Sequence, residues 1–333
     1  MNFIDLLHSL AHQNPRRVAL PESTDPRVIA AAARLSERQL AHPLLVGPPD
    51  PIRQAAAQAG LTAPDTPIVD PTQDDRFDAY VDRLVQLRAR KGLTAEQARE
   101  LLRSPLQFAA MMVDRGDADA AVAGCATSTA DVVRAFIRIV RPAHGIATVS
   151  SCSIITLPNH TAGESGTLIF ADTGVVPDPT PEQLAQIAVS AAETFRAFFD
   201  TPPRVAMISF STKSSASHPL IDKVKQATEL AHQLEPDLMV DGELQLDAAL
   251  VPEVAARKTA DSPVAGQANV LVFPNLDVGN VAYKLAERLA GARALGPVIQ
   301  GLSHPASDLS RGCSIEDIVD VAAVVGVQAA RRK

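Results

Sequence analysis

The chain has 333 residues, a net charge of −7, 46% hydrophobic residues, three cysteines and no tryptophan. That length exceeds one ordinary core and implies two domains of about 150 residues each, while the acidic balance argues against a nucleic-acid partner, which needs a basic face. Cys125, Cys152 and Cys313 show no C-x-x-C spacing, which argues against a disulfide framework or a thiolate metal site and makes a reducing cytoplasm the expected compartment.

The N-terminal run MNFIDLLHSLAHQNP sets Phe3, Leu6, Leu7 and Leu10 on one helical face and carries Asp5, unlike a signal peptide. No stretch approaches the roughly 20 apolar residues that span a bilayer. RVALPEST reads as a short buried strand, and Asp25 before Pro26 marks the start of a helix through RVIAAAARLSERQL. The strand PLLVG, the helix PIRQAAAQAG stopped by Gly60, the strand PIVD and the helix DDRFDAYVDRLVQLRARKG follow. Thr94 with Gln97 forms a capping box and Ser104-Pro105 opens another helix. ADAAVAG (118–124) is a buried strand and STADVVRAFIRIV a helix.

This alternation predicts a doubly wound, mostly parallel sheet. It breaks at IATVSSCSIITL and GTLIFAD, two strand-like runs with no helix between them, which predicts an antiparallel pair and places a domain change nearby. Thr180-Pro181-Glu182-Gln183 opens a long helix, and RVAMISF, DLMVDG and ANVLVFP (204–210, 237–242 and 268–274) are buried strands separated by helices. The last helix starts near Ser314.

The fingerprints G-x-G-x-x-G, G-x-x-x-x-G-K-[ST], G-x-S-x-G and H-E-x-x-H are absent. The stretch SDLSRGCSIEDIV (307–319) admits two readings. In one, Ser314 caps the last helix, Asp317 completes a capping box, and Arg311 is a solvated cation. In the other, Gly312 permits an unusual turn, and the free N–H groups of the helix start hold an anion together with an Arg311 fork. Ser310 then donates to a developing oxyanion, and Asp317 or Glu316 accepts a proton.

SDLSRG resembles the N-D-L-S-R-G signature of the phosphate acetyltransferases, within the phosphate acetyl/butyryltransferase family. VALPESTDPRVIAAAA, LRARKG, VAMISFSTKSSA, DGELQLDAA and SPVAGQANVLVFPNLDVGNVAYK resemble further family segments, so the likeness covers essentially the whole chain. It implies an α/β fold of two α/β/α domains with mostly parallel sheets, like the isocitrate and isopropylmalate dehydrogenases, around an interdomain cleft. The first domain would comprise 1–145 plus 300–333 and the second 146–299. The implied reaction is acetyl-CoA plus phosphate giving acetyl phosphate plus CoA, by direct transfer in a ternary complex. CoA is then a substrate. No permanently bound cofactor or metal, and no nucleic-acid or membrane partner, is expected, and the protein is expected to be a cytoplasmic homodimer.

Carried over residue by residue, the likeness makes Asp317 the acceptor of the thiol proton, Ser310 the stabiliser of developing charge and Arg311 the phosphate holder. Arg88 and Arg134 match family arginines that contact CoA or the acyl phosphate, and Ser128 stands at a matching serine/threonine position. The loop SFSTKSSASHP adds Ser211, Thr212 and Lys213 as candidate cleft-lining residues, and GNVAYK adds Lys284. Cys313 reads as a small buried filler. Departures are Thr127 for a histidine, Ala135 for a proline, Ser307 for an asparagine, Asn275 for an aspartate and Ser214 for a glycine. They leave open a butyryl or other acyl preference. Further alternatives are a catalytically silent acetyl-CoA sensor and a decarboxylating dehydrogenase, the latter without a convincing set of metal ligands.

Overall fold

A computed structural model describes residues 2–61, 65–158 and 161–332. The chain divides into two compact units, Ile4–Arg141 with Leu302–Lys333 and Met1–Phe3 with Pro142–Gly301.

The first unit begins with helix α1 (Phe3–Gln13), from Ile4 onward, then β1 (Arg17–Leu20), α2 (Pro26–Glu37), β2 (His42–Val46), α3 (Pro49–Gln58) and β3 (Ile68–Val69). Helices α4 (Phe77–Leu87), α5 (Ala95–Leu102) and α6 (Pro105–Asp114) lead to β4 (Ala120–Ala123) and α7 (Thr129–Ile139). Local chemistry sets the helix starts. Asp25 accepts from Arg27 N with Pro26 in the first turn, and Thr94 and Gln97 exchange both bonds of a capping box. The long periodic run after Asp74 does not stay one helix. It closes at Leu87 and continues as a single tight turn ended by Gly92, whose φ of 67° lies in the left-handed region.

The second unit opens with the expected antiparallel pair, β5 (Ser150–Thr156) and β6 (Thr167–Ala171). Then come α8 (Pro181–Arg196), β7 (Arg204–Ile208), α9 (Pro219–Leu234), β8 (Met239–Leu244), α10 (Leu246–Leu250), α11 (Pro252–Lys258), β9 (Val270–Val272), α12 (Leu276–Leu289) and β10 (Arg293–Gln300). Its strands run β10-β5-β6-β9-β7-β8, antiparallel across the first two pairings and parallel thereafter. Ile155, Leu168, Ala206, Leu244, Val264 and Leu271 form part of its core. Strand β10 is an addition to the sequence reading. Its Gly296-Pro297 resembles a turn signal, yet the strand pairs on both sides of a bulge between Leu295 and Val298.

The chain then returns to the first unit with β11 (Ala306–Asp308) and α13 (Ile315–Arg331). The first unit's strands run β3-β2-β1-β4-β11, all parallel. Parallel strands covered on both faces read as continuous apolar runs, which is why Ala120–Ala123 is buried throughout. Helices α2 and α13 pack together, as do α6 and α7. α13 is buried without a break from Ile318 to Val327, so its position is fixed by packing and its N-terminus is held rigidly.

Candidate active site

Strands β1, β4 and β11 are neighbours and parallel, so the loops that follow them emerge at the same, carboxyl edge of the sheet. That edge is where open α/β sheets place their ligands. Each loop ends at a capped helix: Asp25 caps α2, Ser128 caps α7, and Ser314 caps α13.

Glu22 of the first loop and Arg27 in the first turn of α2 tie the other loops down. Glu22 accepts four consecutive backbone N–H groups, those of Gly124, Cys125, Ala126 and Thr127, at 2.7, 2.8, 3.0 and 2.6 Å. Burial by itself would raise the Glu22 carboxyl, but these bonds outweigh it and hold the group below the ordinary glutamate range. Arg27 donates to Asp25 through Nε and Nη2 at 3.0 and 2.7 Å. It also donates to the carbonyls of Arg311, Cys313 and Cys125 at 2.9, 3.0 and 3.0 Å. The hydrogen bonds from Arg27 keep the Asp25 carboxyl below its usual range.

Asp308, the last residue of β11, is buried, and its Oδ2 accepts from Thr129 Oγ1 at 2.6 Å. Its Oδ1 is a buried oxygen without a hydrogen-bond partner among the described residues. Burial pushes this carboxyl up to about 6, with the Thr129 hydroxyl opposing and the Glu22 charge adding. The close backbone approach lies here, not at Gly312. Gly124 has φ 111°, and a Cβ there would meet the Asp308 carboxylate and come within 2.6 Å of Leu309 N. Gly312 does not need the unusual turn the sequence suggested: it lies outside the left-handed region, and a Cβ on it would meet only Ser310 Oγ, at 3.8 Å.

The residues singled out in SDLSRGCSIEDIV sit in the loop after β11 and the first turn of α13. Ser310 is exposed, and its Oγ accepts from Gly312 N at 3.2 Å, which leaves its proton free to donate. Arg311 is exposed, and among the described residues its guanidinium has no hydrogen-bond or ion-pair partner. Asp317 does what the capping reading requires: Oδ2 accepts from Ser314 N and Ser314 Oγ, both at 2.8 Å. Its Oδ1 makes no hydrogen bond among the described residues, so capping does not exhaust the carboxylate. Glu316 is taken up by Arg34 of α2 and by Arg38, which caps its C-terminus. Burial raises both the Cys125 and Cys313 thiols, so neither is a ready thiolate.

Arg88 and Arg134 come together. With Ala130, Val133, Ile137 and Arg138 they line an open depression of about 420 Å³ on the first unit. Arg134 also pairs with Asp131 at 2.5 Å, which accepts from the Ser128 hydroxyl at 2.7 Å. Arg138 was missed in the sequence, although it repeats Arg134 one helical turn later. Ala135 lets α7 run unbroken where the family has proline, and Thr127 is half-buried with its N–H on Glu22.

In the second unit two of the candidates are enclosed and two, Lys213 and Lys284, are exposed. Ser211 and Thr212 are buried. Ser211 Oγ donates to Glu243 at 2.9 Å, and Thr212 Oγ1 accepts from Gln245 N at 3.0 Å. The Lys213 ammonium pairs with Asp241. Ser214, at the family's glycine position, has φ 66°, a conformation glycine adopts without strain. Asn275 caps α12 by accepting from Val278 N. Lys284 is exposed, its ammonium 5.7 Å from the Tyr283 ring centre. Among the described residues no group of three or more His, Cys, Asp or Glu could hold a metal ion.

A parallel α/β unit with arginines and capped helix starts beyond its strand ends suits an enzyme that handles anionic substrates. The family described as phosphate acetyl/butaryl transferase matches residues 2–325, and the chain belongs to that family of acyltransferases. The phosphate acetyltransferase of Thermoanaerobacterium thermosaccharolyticum is 48% identical over 329 residues, spanning 99% of this chain and 100% of that one. The crystal structure of a phosphotransacetylase from Streptococcus pyogenes superposes with a TM-score of 0.92 at 41% identity over 100% of both chains. A 4-hydroxythreonine-4-phosphate dehydrogenase from Burkholderia phymatum shares the fold, with a TM-score of 0.54 at 14% identity over 96% of this chain and 99% of that one.

Proposed function

We propose that this chain interconverts acetyl-CoA plus phosphate and acetyl phosphate plus CoA, by direct transfer within a ternary complex. The observation that carries this reading is an exposed Arg311, without a partner among the described residues, beside Ser310 and the first turn of α13, in a chain of this family. In the direction of acetyl-CoA formation, Asp317 accepts the CoA thiol proton. The sulfur attacks the acetyl carbonyl carbon of acetyl phosphate, the bond from that carbon to the phosphate oxygen breaks, and phosphate leaves. Ser310 donates a hydrogen bond to the carbonyl oxygen as it gains charge. The Arg311 fork and the free N–H groups of the helix start hold the phosphate. Arg88 and Arg134 contact CoA or the acyl phosphate, and Ser128, Ser211, Thr212, Lys213 and Lys284 are candidate substrate contacts. The chemistry needs position more than a covalent nucleophile, which suits two thiols raised by burial.

The same proposal takes CoA as substrate with no permanently bound cofactor, the cytoplasm as compartment and a second copy of the chain as partner. No described helix is long and apolar enough to cross a membrane. The reading is tested by following acetyl-CoA formation from acetyl phosphate and CoA. Arg311→Gln is expected to raise the KM for acetyl phosphate and lower kcat by about 100-fold or more, as loss of a charge-stabilising donor does. Unchanged kinetics in that variant overturn the phosphate role of Arg311. Comparing acetyl, propionyl and butyryl phosphates separates the acetyl reading from a longer acyl preference.

A further inference from the structure

We infer that Arg27 is a positioning residue that sets the backbone of the phosphate-holding loop. This rests on the proposed role of Arg311. A guanidinium has a fixed planar fork of donors, and all five of Arg27's are in use: two on Asp25, and one each on the carbonyls of Cys125, Arg311 and Cys313. Nothing of Arg27 is left to bind substrate, so it works through other residues. Arg311 is the reverse, with its carbonyl held by Arg27 and its side chain unpartnered among the described residues.

The three carbonyls belong to two different loops, one after β4 and one after β11. Arg27 therefore fixes the spacing between the loop that starts α7, with Ser128 and Arg134, and the loop that carries Ser310 and Arg311. Asp25 holds the fork in plane from the start of α2, whose own first turn it caps. Lysine cannot substitute, because a rotating ammonium has fewer donors and no plane.

The experiment measures kcat and both KM values for Arg27→Met, Arg27→Lys and Asp25→Asn. Arg27→Met is expected to raise the KM for acetyl phosphate tenfold or more and to lower kcat by a similar factor, with the KM for CoA moving less than twofold, because Glu22 still holds the loop that starts α7 through four backbone N–H groups. An offset of about 1 Å in a reacting geometry costs on the order of 100-fold. Arg27→Lys should remain within threefold of Arg27→Met, and Asp25→Asn should show the same pattern in milder form. A general loss of fold would instead lower active-site concentration without this KM split, and a thermal melt reports it directly. Millimolar guanidinium should partly restore Arg27→Ala. A variant that folds and keeps both KM values and kcat overturns the inference while leaving the proposed function intact. If the unaltered protein makes no acetyl-CoA, the functional reading fails on its own. Backbone hydrogen exchange over residues 310–314 then decides: faster exchange in Arg27→Met supports the loop-setting role, and unchanged exchange overturns it.

Discussion

Asp308 carries the sharpest consequence at the scale of a single residue. A buried carboxyl pushed up to about 6 from 3.8 keeps its proton in the folded protein over a window where the unfolded chain has lost it. The folded state then binds more protons, so stability falls as pH rises through that window, and above it the ionised group costs on the order of 3 kcal/mol. Asp308→Asn keeps the shape and stays neutral. Urea unfolding at pH 4 and pH 7.5 should show the variant gaining on the unaltered protein as pH rises, with most of the change complete by about pH 7. An equal difference at both pH values would rule out burial as the cause. Glu22 has the opposite sign. Its depressed carboxyl stabilises the fold above the unfolded value of 4.5, and that contribution is lost as pH falls through the folded value.

At the scale of the element, α13 joins stability to chemistry through one carboxylate. Ser314 caps the helix, and Asp317 answers with Oδ2. Ser314→Ala should destabilise the protein by about 1 kcal/mol in denaturant unfolding. It should also lower kcat several-fold, because Asp317 loses the Ser314 hydroxyl, one of the two donors that orient it. Thr94→Ala removes the equivalent capping box of α5 and is expected to cost about the same stability with turnover unchanged. Equal turnover in the two variants would separate Asp317's orientation from catalysis. These capping boxes were legible in the sequence because partner and cap lie three positions apart, and the same holds for Thr180 with Gln183, while Asp25 was legible from the proline directly after it. The alternating strands and the antiparallel break were legible from apolar runs. Arg27 and Glu22 were not, since, Asp25 apart, their partners lie about 100 or more positions away, from Gly124 to Cys313. The one local hint is a cluster of charges directly after a buried strand. Strand β10 escaped because its pairing with β5 is equally distant and its Gly-Pro reads as a turn.

At the scale of the whole molecule, the acidic surface leaves open how a second copy would bind. Helix α12 presents Val278, Val281, Leu285 and Leu289 at 41, 54, 51 and 80% exposure. They recur at intervals of three and four and form one apolar stripe. Asp277 and Arg288 flank the same side of that stripe near opposite ends of the helix. A two-fold axis perpendicular to the helix pairs α12 with its copy in antiparallel fashion, and Asp277 of each then lies beside Arg288 of the other. The stripe is thus self-complementary in its placement of apolar and charged side chains, which is what an isologous contact requires. Leu285→Glu changes only an exposed side chain of the isolated chain, so folding should survive while two charges are forced into the contact. Light scattering is expected to give twice the 35.2 kDa chain mass for the unaltered protein and a single chain mass for Leu285→Glu. Asp277→Arg should weaken the pair by setting like charges together, and Asp277→Arg with Arg288→Asp should restore it. A dimer indifferent to all three substitutions places the contact elsewhere on the surface, and a monomeric unaltered protein removes the second copy altogether.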